Sequence, residues 1–144
     1  MVSSEAEEYL EVIYRLEEKT GFARTMELAR KLKVVPGSVT NTIEGLERRG
    51  LVTHEPYKGV KLTEKGRKIA LNVLRGHRLA ELLLTEILHV DWSEVHEVAC
   101  KLEHVIAADI MKPLEKRWDI RKHVLMEIPY RQSLEESSRK SQSP

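Results

Sequence analysis

His96, Cys100, Glu103 and His104 stand at i, i+4, i+7 and i+8 of one stretch. At about 100° per residue, a helix carries all four on one stripe roughly 100° wide. Val95, Val98, Ala99, Leu102, Val105 and Ile106 fall on the other side. A thiol, a carboxylate and two imidazoles on one face are metal-ligating chemistry. A merely solvated face more often carries Lys, Arg and Glu, and Cys is usually buried. Upstream, His77 and Glu81 at i, i+4 interrupt the apolar stripe Ala70, Val73, Leu74, Ala80, Leu84. Polar groups in such a stripe must be paired or coordinated. Glu8 and Glu11 add an acidic pair at i, i+3, although acidic residues also suit the first turns of any helix. A mixed S, N and O donor set suits Fe²⁺, Mn²⁺, Co²⁺, Ni²⁺ or Zn²⁺ better than Ca²⁺ or Mg²⁺. Donors drawn from several helices point to a switch rather than a closed structural zinc site.

The elements that must position these donors follow from periodicity and punctuation. Ser4 to Glu7 fits a capping box, and Ala6, Leu10, Ile13 and Tyr14 then recur at helical spacing to about Glu18. Thr25 caps a short helix through Leu32; a break at Val35-Pro36-Gly37-Ser38 precedes a helix on Val39, Thr42, Ile43 and Leu46 that ends at Gly50. Residues 51–55 and 60–62 are β-prone runs around a Pro56 to Gly59 turn and predict a hairpin. Thr63 to Gly66 opens a helix of about 25 residues that holds its apolar period to Leu88. Ser93 is the expected cap of the donor-bearing helix, and Asp109 through Trp118 a last helix broken near Pro113.

Helix, short helix, turn, helix, hairpin is the order of a winged helix-turn-helix. Its recognition helix, Ser38 to Arg49, must enter a major groove about 12 Å wide. Ser38, Thr40 and Asn41 are the short polar groups of its first turn. Thr25, at the start of the bracing helix, can meet a phosphate, as can Lys58 and Lys61 in the wing. Arg48 and Arg49 fit equally well as charges at a helix C-terminus.

Charge supports this placement. The 144 residues carry a net +1, but residues 20–75 carry +7, residues 1–19 carry −4 and residues 76–144 carry −2. A basic block within a near-neutral chain is the footprint of a nucleic-acid-binding lobe. One cysteine excludes an internal disulfide framework and points to the reducing cytoplasm. The acidic start, MVSSEAEEYL, is no signal peptide, and no apolar run reaches membrane-spanning length. One Phe and seven Gly argue against a large β-sandwich. The expected architecture is mainly α: a winged helix-turn-helix domain with a β-hairpin wing (1–72), a helical dimerisation and metal-binding domain (73–130) and a disordered tail (131–144).

The run His77-Arg78-Leu79-Ala80-Glu81, followed by Val95 to Val105 with its His96/Cys100/Glu103/His104 spacing, resembles the diphtheria toxin repressor family. Glu8-Tyr9-Leu10-Glu11, Ser38-Val39-Thr40 and Leu62 to Gly66 match as well, so the resemblance covers residues 4–118. It implies a dimeric repressor that binds operator DNA when Fe²⁺ or Mn²⁺ is bound. Carried over, the primary metal site falls on Glu8, Cys100, Glu103 and His104, and the ancillary site on His77, Glu81 and His96. This chain mixes two branches. The iron branch carries Met at the Glu8 position and Arg at the Glu11 position; the manganese branch carries Asp at Glu8 and Glu at both Glu11 and Cys100. The SH3-like third domain of longer iron regulators is expected to be missing, leaving Glu11 or water to complete the ancillary site.

The expected protein is therefore a cytoplasmic homodimer with operator DNA as partner, no membrane and no small-molecule substrate, and no enzymatic activity. Co²⁺, Ni²⁺ and Zn²⁺ would substitute in vitro. Leu102 and Trp118 are the candidate dimer contacts. Two rivals are a winged-helix adaptor without metal control and a small metallohydrolase built on His96, Cys100 and His104 with Glu97 or Glu103 as base. The second falls one residue short of a His-Glu-x-x-His motif.

Overall fold

The computed structural model describes residues 2–117. Trp118 and the segment 131–144 lie outside the described residues. The chain divides into two units, one through Leu71 and one from Asn72.

In the first unit, α1 (Ser4–Thr20), α2 (Thr25–Leu32) and α3 (Pro36–Arg48) precede β1 (Val52–Glu55) and β2 (Gly59–Leu62), an antiparallel pair with Val52 opposite Leu62 and Glu55 opposite Gly59. Its core is Leu10 and Ile13 of α1, Leu28 of α2, Val39 and Leu46 of α3, and Leu51, Val52 and Val60 of the hairpin. Each such side chain, fully buried, contributes about 1.5–3 kcal/mol, so every element is anchored by at least one. A residue outside this core adds a polar clamp. Glu17 accepts the Leu62 N–H at 3.1 Å and an Arg67 N–H at 2.6 Å, tying α1 to the wing and to the start of α4 (Glu64–Leu82). An isolated bridge between Ala23 and Val60 extends the sheet by one residue pair.

The expected caps shift in three places. Ser3, not Ser4, caps α1, accepting the Ala6 N–H at 3.2 Å. Thr25 is the first residue of α2; Arg24 takes the cap position with no side-chain hydrogen bond. Asp91, not Ser93, caps α5 (Trp92–Val105), accepting the Ser93 N–H at 2.9 Å. In each case the neighbour one or two places upstream has the extended backbone a cap needs, and for Ser3 and Asp91 the oxygen as well. Thr63 behaves as expected at α4, accepting the Gly66 N–H at 3.1 Å while donating to the Gly50 carbonyl at 2.7 Å. Proline opens α3 at its first position, where no N–H is needed.

The second unit holds the rest of α4, α5 and α6 (Met111–Arg117), with two π-helical segments, Leu83–Ile87 and Ile106–Ile110. These segments correct two expectations. The apolar period of α4 does not reach Leu88, which is 59% exposed, because the wider π turn rotates it off the buried face that ends at Leu84. Pro113 does not break the last helix. It sits in the first turn of α6, just after the π segment has opened the hydrogen-bond ladder, where its missing N–H matters least. Leu79, Ala80, Leu84, Val95, Ala99, Ile106, Ala107 and Met111 form the second core. Val105, expected in the stripe, is 51% exposed.

Candidate metal centre and nucleic-acid interface

Among the described residues, the buried polar or charged side chains are Glu11, His77, Glu81 and Glu103. All four are residues whose type and spacing marked them as metal donors. His77 is fully buried on α4 and is gripped from both sides: Nδ1 lies 2.5 Å from Glu103 Oε2 of α5, and Nε2 lies 2.9 Å from Glu81 Oε1 one turn away. Glu81 Oε2 also accepts from Arg78 at 3.0 Å. Cys100 Sγ lies 3.7 Å from His96 Nε2 and 3.9 Å from His77 Nδ1. The two imidazole rings meet edge to face with centroids 5.1 Å apart. His104 Nε2 lies 3.4 Å from Glu103 Oε1.

The donor stripe of α5 is thus not a solvated face. It packs on α4, and a lone helical wheel could not show that.

Close helix approach makes this possible. A Cβ on Gly76 would lie 2.5 Å from the Glu103 carbonyl oxygen and 3.2 Å from the Ala107 nitrogen. Only glycine lets α4 come this near the backbone that carries Glu103. The Asn72 amide reinforces the contact by donating to the Ala107 carbonyl at 3.1 Å. Neither residue stands out in the sequence; a glycine within an apolar helical stripe is the one available signal for Gly76.

The electrostatics follow from the packing. Burial alone would push His77 down, but hydrogen bonds with Cys100, Glu103 and Glu81 overcome it and carry His77 up to about 11. Burial would raise Glu81, but its bonds to His77 and His96 hold it at about 2. His96 is pushed up to about 9 by Cys100 and Glu81. Burial would raise the Cys100 thiol, yet His77 and His96 bring it down to about 7. Cys100 therefore presents substantial thiolate, the form that ligates metal, near neutral pH. In metal-free protein its thiolate absorbance should rise through pH 7, and His96→Gln should move that titration upward toward the ordinary thiol range near 9. A wild-type thiol titrating at 9 would show that the imidazoles do not act on it.

Two sets of donors implied by the resemblance are interleaved here. Cys100 lies beside His77 and His96 of the ancillary set, and Glu103 of the primary set bonds His77. The remaining donors belong to the first unit: Glu8 is half-buried on α1, and Glu11 is buried and paired with Arg15 one turn on. Arg15 as a partner for Glu11 is not among the expected contacts, although i, i+4 spacing is its signal.

On the DNA side, Ser38, Thr40 and Asn41 are exposed in the first turns of α3, with the Thr40 hydroxyl donating to the Pro36 carbonyl at 3.2 Å. Thr25 is half-buried at the start of α2. Lys58 and Lys61 of the wing stand over the Phe22 ring, with Nζ 5.9 and 5.2 Å from its centroid. Phe22 thereby places both cations on one side of the hairpin. Tyr57, fully exposed at the wing tip with φ of 65°, is a further surface group that the sequence pattern does not single out.

A winged helix-turn-helix followed by a helical unit with a buried imidazole–carboxylate–thiol cluster defines a metal-responsive DNA-binding regulator. Residues 1–60 match the iron dependent repressor N-terminal DNA-binding domain, and residues 63–124 match the iron dependent repressor metal-binding and dimerisation domain. The chain belongs to the iron-dependent repressor family, whose members are transcriptional repressors and not enzymes. It is 40% identical over 115 residues to an uncharacterised HTH-type transcriptional regulator of Methanocaldococcus jannaschii, covering 79% of this chain and 92% of that one. It is likewise 40% identical over 110 residues to the iron-dependent repressor IdeR of Mycobacterium tuberculosis, covering 76% of this chain and 48% of that one. A solved manganese-dependent transcriptional repressor in complex with manganese superposes with a TM-score of 0.65 at 34% identity, over 78% of this chain and 51% of that one. The chain spans about half the length of the curated iron-dependent repressors it matches. No described helix is long and apolar enough to cross a membrane.

Proposed function

We propose that the protein is a homodimeric repressor that binds palindromic operator DNA when a divalent metal is bound, controls metal-homeostasis genes, and uses Fe²⁺ in preference to Mn²⁺. The observation that carries this reading is that the buried charged groups among the described residues are donors: Glu11 on α1 and His77, Glu81 and Glu103 in the second unit. An adaptor with no metal to hold would gain nothing from desolvating three carboxylates and an imidazole.

His77, Glu81, His96, Cys100, Glu103 and His104 would hold metal in the second unit, and Glu8 and Glu11 would add carboxylates from the helix that opens the DNA-binding unit. A bound cation supplies the positive charge that draws these donors together. The protein's own part is linkage: α1 packs its Leu10 and Ile13 into the core shared by the recognition helix, so whatever restrains Glu8 or Glu11 restrains that unit. In a dimer, the two recognition helices must then match half-sites about 34 Å apart or a multiple of it. Leu102 is half-buried against the second core, whereas Ile87, Leu88, Val105 and Ile110 are exposed aliphatics of the same unit. We assign the latter four, with Leu102 at their edge, to the partner-facing surface.

Ser38, Thr40 and Asn41 would read base edges, while Thr25, Lys58 and Lys61 meet phosphates. Asn41→Ala should therefore weaken binding to the specific operator by about 1–3 kcal/mol and leave non-specific DNA binding unchanged. Competition gel shifts check this; equal losses on both DNAs would reassign Asn41 to the phosphates.

Iron is favoured because Cys100 is a soft thiolate beside two imidazoles, a set that manganese prefers less than iron does. The test is anaerobic operator binding titrated with each metal. Wild type should respond at lower Fe²⁺ than Mn²⁺, and Cys100→Glu should narrow or reverse that gap. A wild type that responds first to Mn²⁺ would make manganese the ion, and equal binding in chelator and in metal would remove metal control altogether.

A further inference from the structure

We propose that His77, His96 and Cys100 form a site of their own for one soft or borderline divalent ion, Zn²⁺ or Co²⁺, held entirely by α4 and α5. This rests on the metal-binding reading above, and it adds a site that uses neither Glu8 nor Glu11.

The three donor atoms all lie within 4.8 Å of one another. Cys100 Sγ is 3.7 Å from His96 Nε2 and 3.9 Å from His77 Nδ1. Around a tetrahedral ion with bonds of about 2.0 Å to nitrogen and 2.3 Å to sulfur, sulfur and nitrogen stand about 3.5 Å apart. The observed separations need to close by only a few tenths of an ångström.

Orientation is the second argument. The nitrogens that face sulfur are His77 Nδ1 and His96 Nε2. The opposite nitrogens face one carboxylate oxygen: Glu81 Oε1 lies 2.9 Å from His77 Nε2 and 3.9 Å from His96 Nδ1. A carboxylate behind a ligating imidazole fixes its tautomer and raises its basicity. Here one buried carboxylate stands behind both. Glu103 Oε2, 2.5 Å from His77 Nδ1, is on the donor side and is placed to be the fourth ligand. Two nitrogens, a sulfur and an oxygen make a tetrahedral set that zinc and cobalt accept and that manganese, preferring more oxygen ligands, does not.

The site shares Cys100 and Glu103 with the arrangement that includes Glu8, so the two are exclusive at any moment. An ion captured by α4 and α5 alone occupies the protein without engaging the first helix. Zinc would therefore load the chain without switching it fully on, and the protein would tell metals apart by where they settle as well as by how tightly they bind.

The experiment is anaerobic titration of the full-length protein with Co²⁺, reading the thiolate-to-cobalt charge-transfer band, followed by competition with Zn²⁺. One Co²⁺ per chain should bring up the band. Cys100→Ser should abolish it and His96→Gln should weaken it strongly, while Glu8→Gln and His104→Gln leave it unchanged. Glu81→Gln should weaken Co²⁺ binding about 10- to 100-fold with the band position retained, as loss of an outer-shell partner does. His96 is half-buried, so His96→Gln is the variant whose fold is least disturbed, and far-ultraviolet circular dichroism of the metal-free proteins checks that. A band that survives His96→Gln and disappears in His104→Gln, or no thiolate band at all, overturns the proposal. Metal-independent operator binding with the band still following His96 would instead overturn only the repressor reading.

Discussion

Glu103→Ala should yield a protein whose operator binding no longer responds to metal and whose metal-free form unfolds more easily. Glu103 is 3% exposed and its Oε2 meets Nδ1 of a histidine that is itself fully buried. Removing one member of a buried ion pair leaves the other desolvated without its partner, typically at about 3–5 kcal/mol. The lower end applies, because Glu81 still holds His77 Nε2 at 2.9 Å. The functional loss should be larger than the structural one, since the carboxylate belongs to every donor set the geometry allows. Glu103→Gln separates the two effects: it keeps the shape and a hydrogen bond to His77, so it should recover most of the stability and little of the metal response. Thermal unfolding in chelator and operator binding in metal check the pair. A Glu103→Gln protein that responds normally to metal would remove Glu103 from the donors.

Gly76→Ala is expected to be as damaging through sterics alone. The added methyl would meet the Glu103 carbonyl oxygen at 2.5 Å and the Ala107 nitrogen at 3.2 Å, and backbone cannot swing aside as a side chain can. Overpacking of this kind costs about 1–3 kcal/mol or more. The contact sits next to His77, so separating α4 from α5 should also stretch the His77–Glu103 bond and weaken metal binding. Gly37 provides the contrast. It lies in α3, and a methyl group added there would have no neighbour within 4 Å, so Gly37→Ala should stabilise the fold by about 0.4–1 kcal/mol. Opposite signs for the two substitutions in thermal unfolding are the expected result. If Gly76→Ala also stabilises, the close approach of the two helices is not what holds the centre.

Much of this is legible in the residues. Leu10, Ile13, Leu28, Val39, Ile43 and Leu46 are buried at the positions their helical period demands, and the Pro56 to Gly59 turn does fold back a two-stranded hairpin. His77 and Glu81 can be marked for pairing because an apolar stripe does not tolerate unsatisfied charge, and both are buried. Other features depend on what one element does to another. The π segments at Leu83–Ile87 and Ile106–Ile110 depend on packing, so the strict period fails at Leu88 and Val105. The pairing of Glu103 with His77, and of Cys100 with both imidazoles, draws on two helices whose relative rotation no single-helix wheel contains. Caps shift by one or two residues wherever adjacent oxygens compete, as Ser3 does with Ser4 and Asp91 with Ser93.

In the proposed mechanism metal and DNA are linked through this chain, and linkage is reciprocal. An anaerobic calorimetric titration of Fe²⁺ into the protein, once alone and once with saturating operator duplex, reads that linkage without an intermediary. The operator-bound protein should take metal more tightly, and by the same factor by which Fe²⁺ tightens operator binding. Equal metal affinity with and without operator would mean that the buried donors hold an ion that DNA binding does not sense.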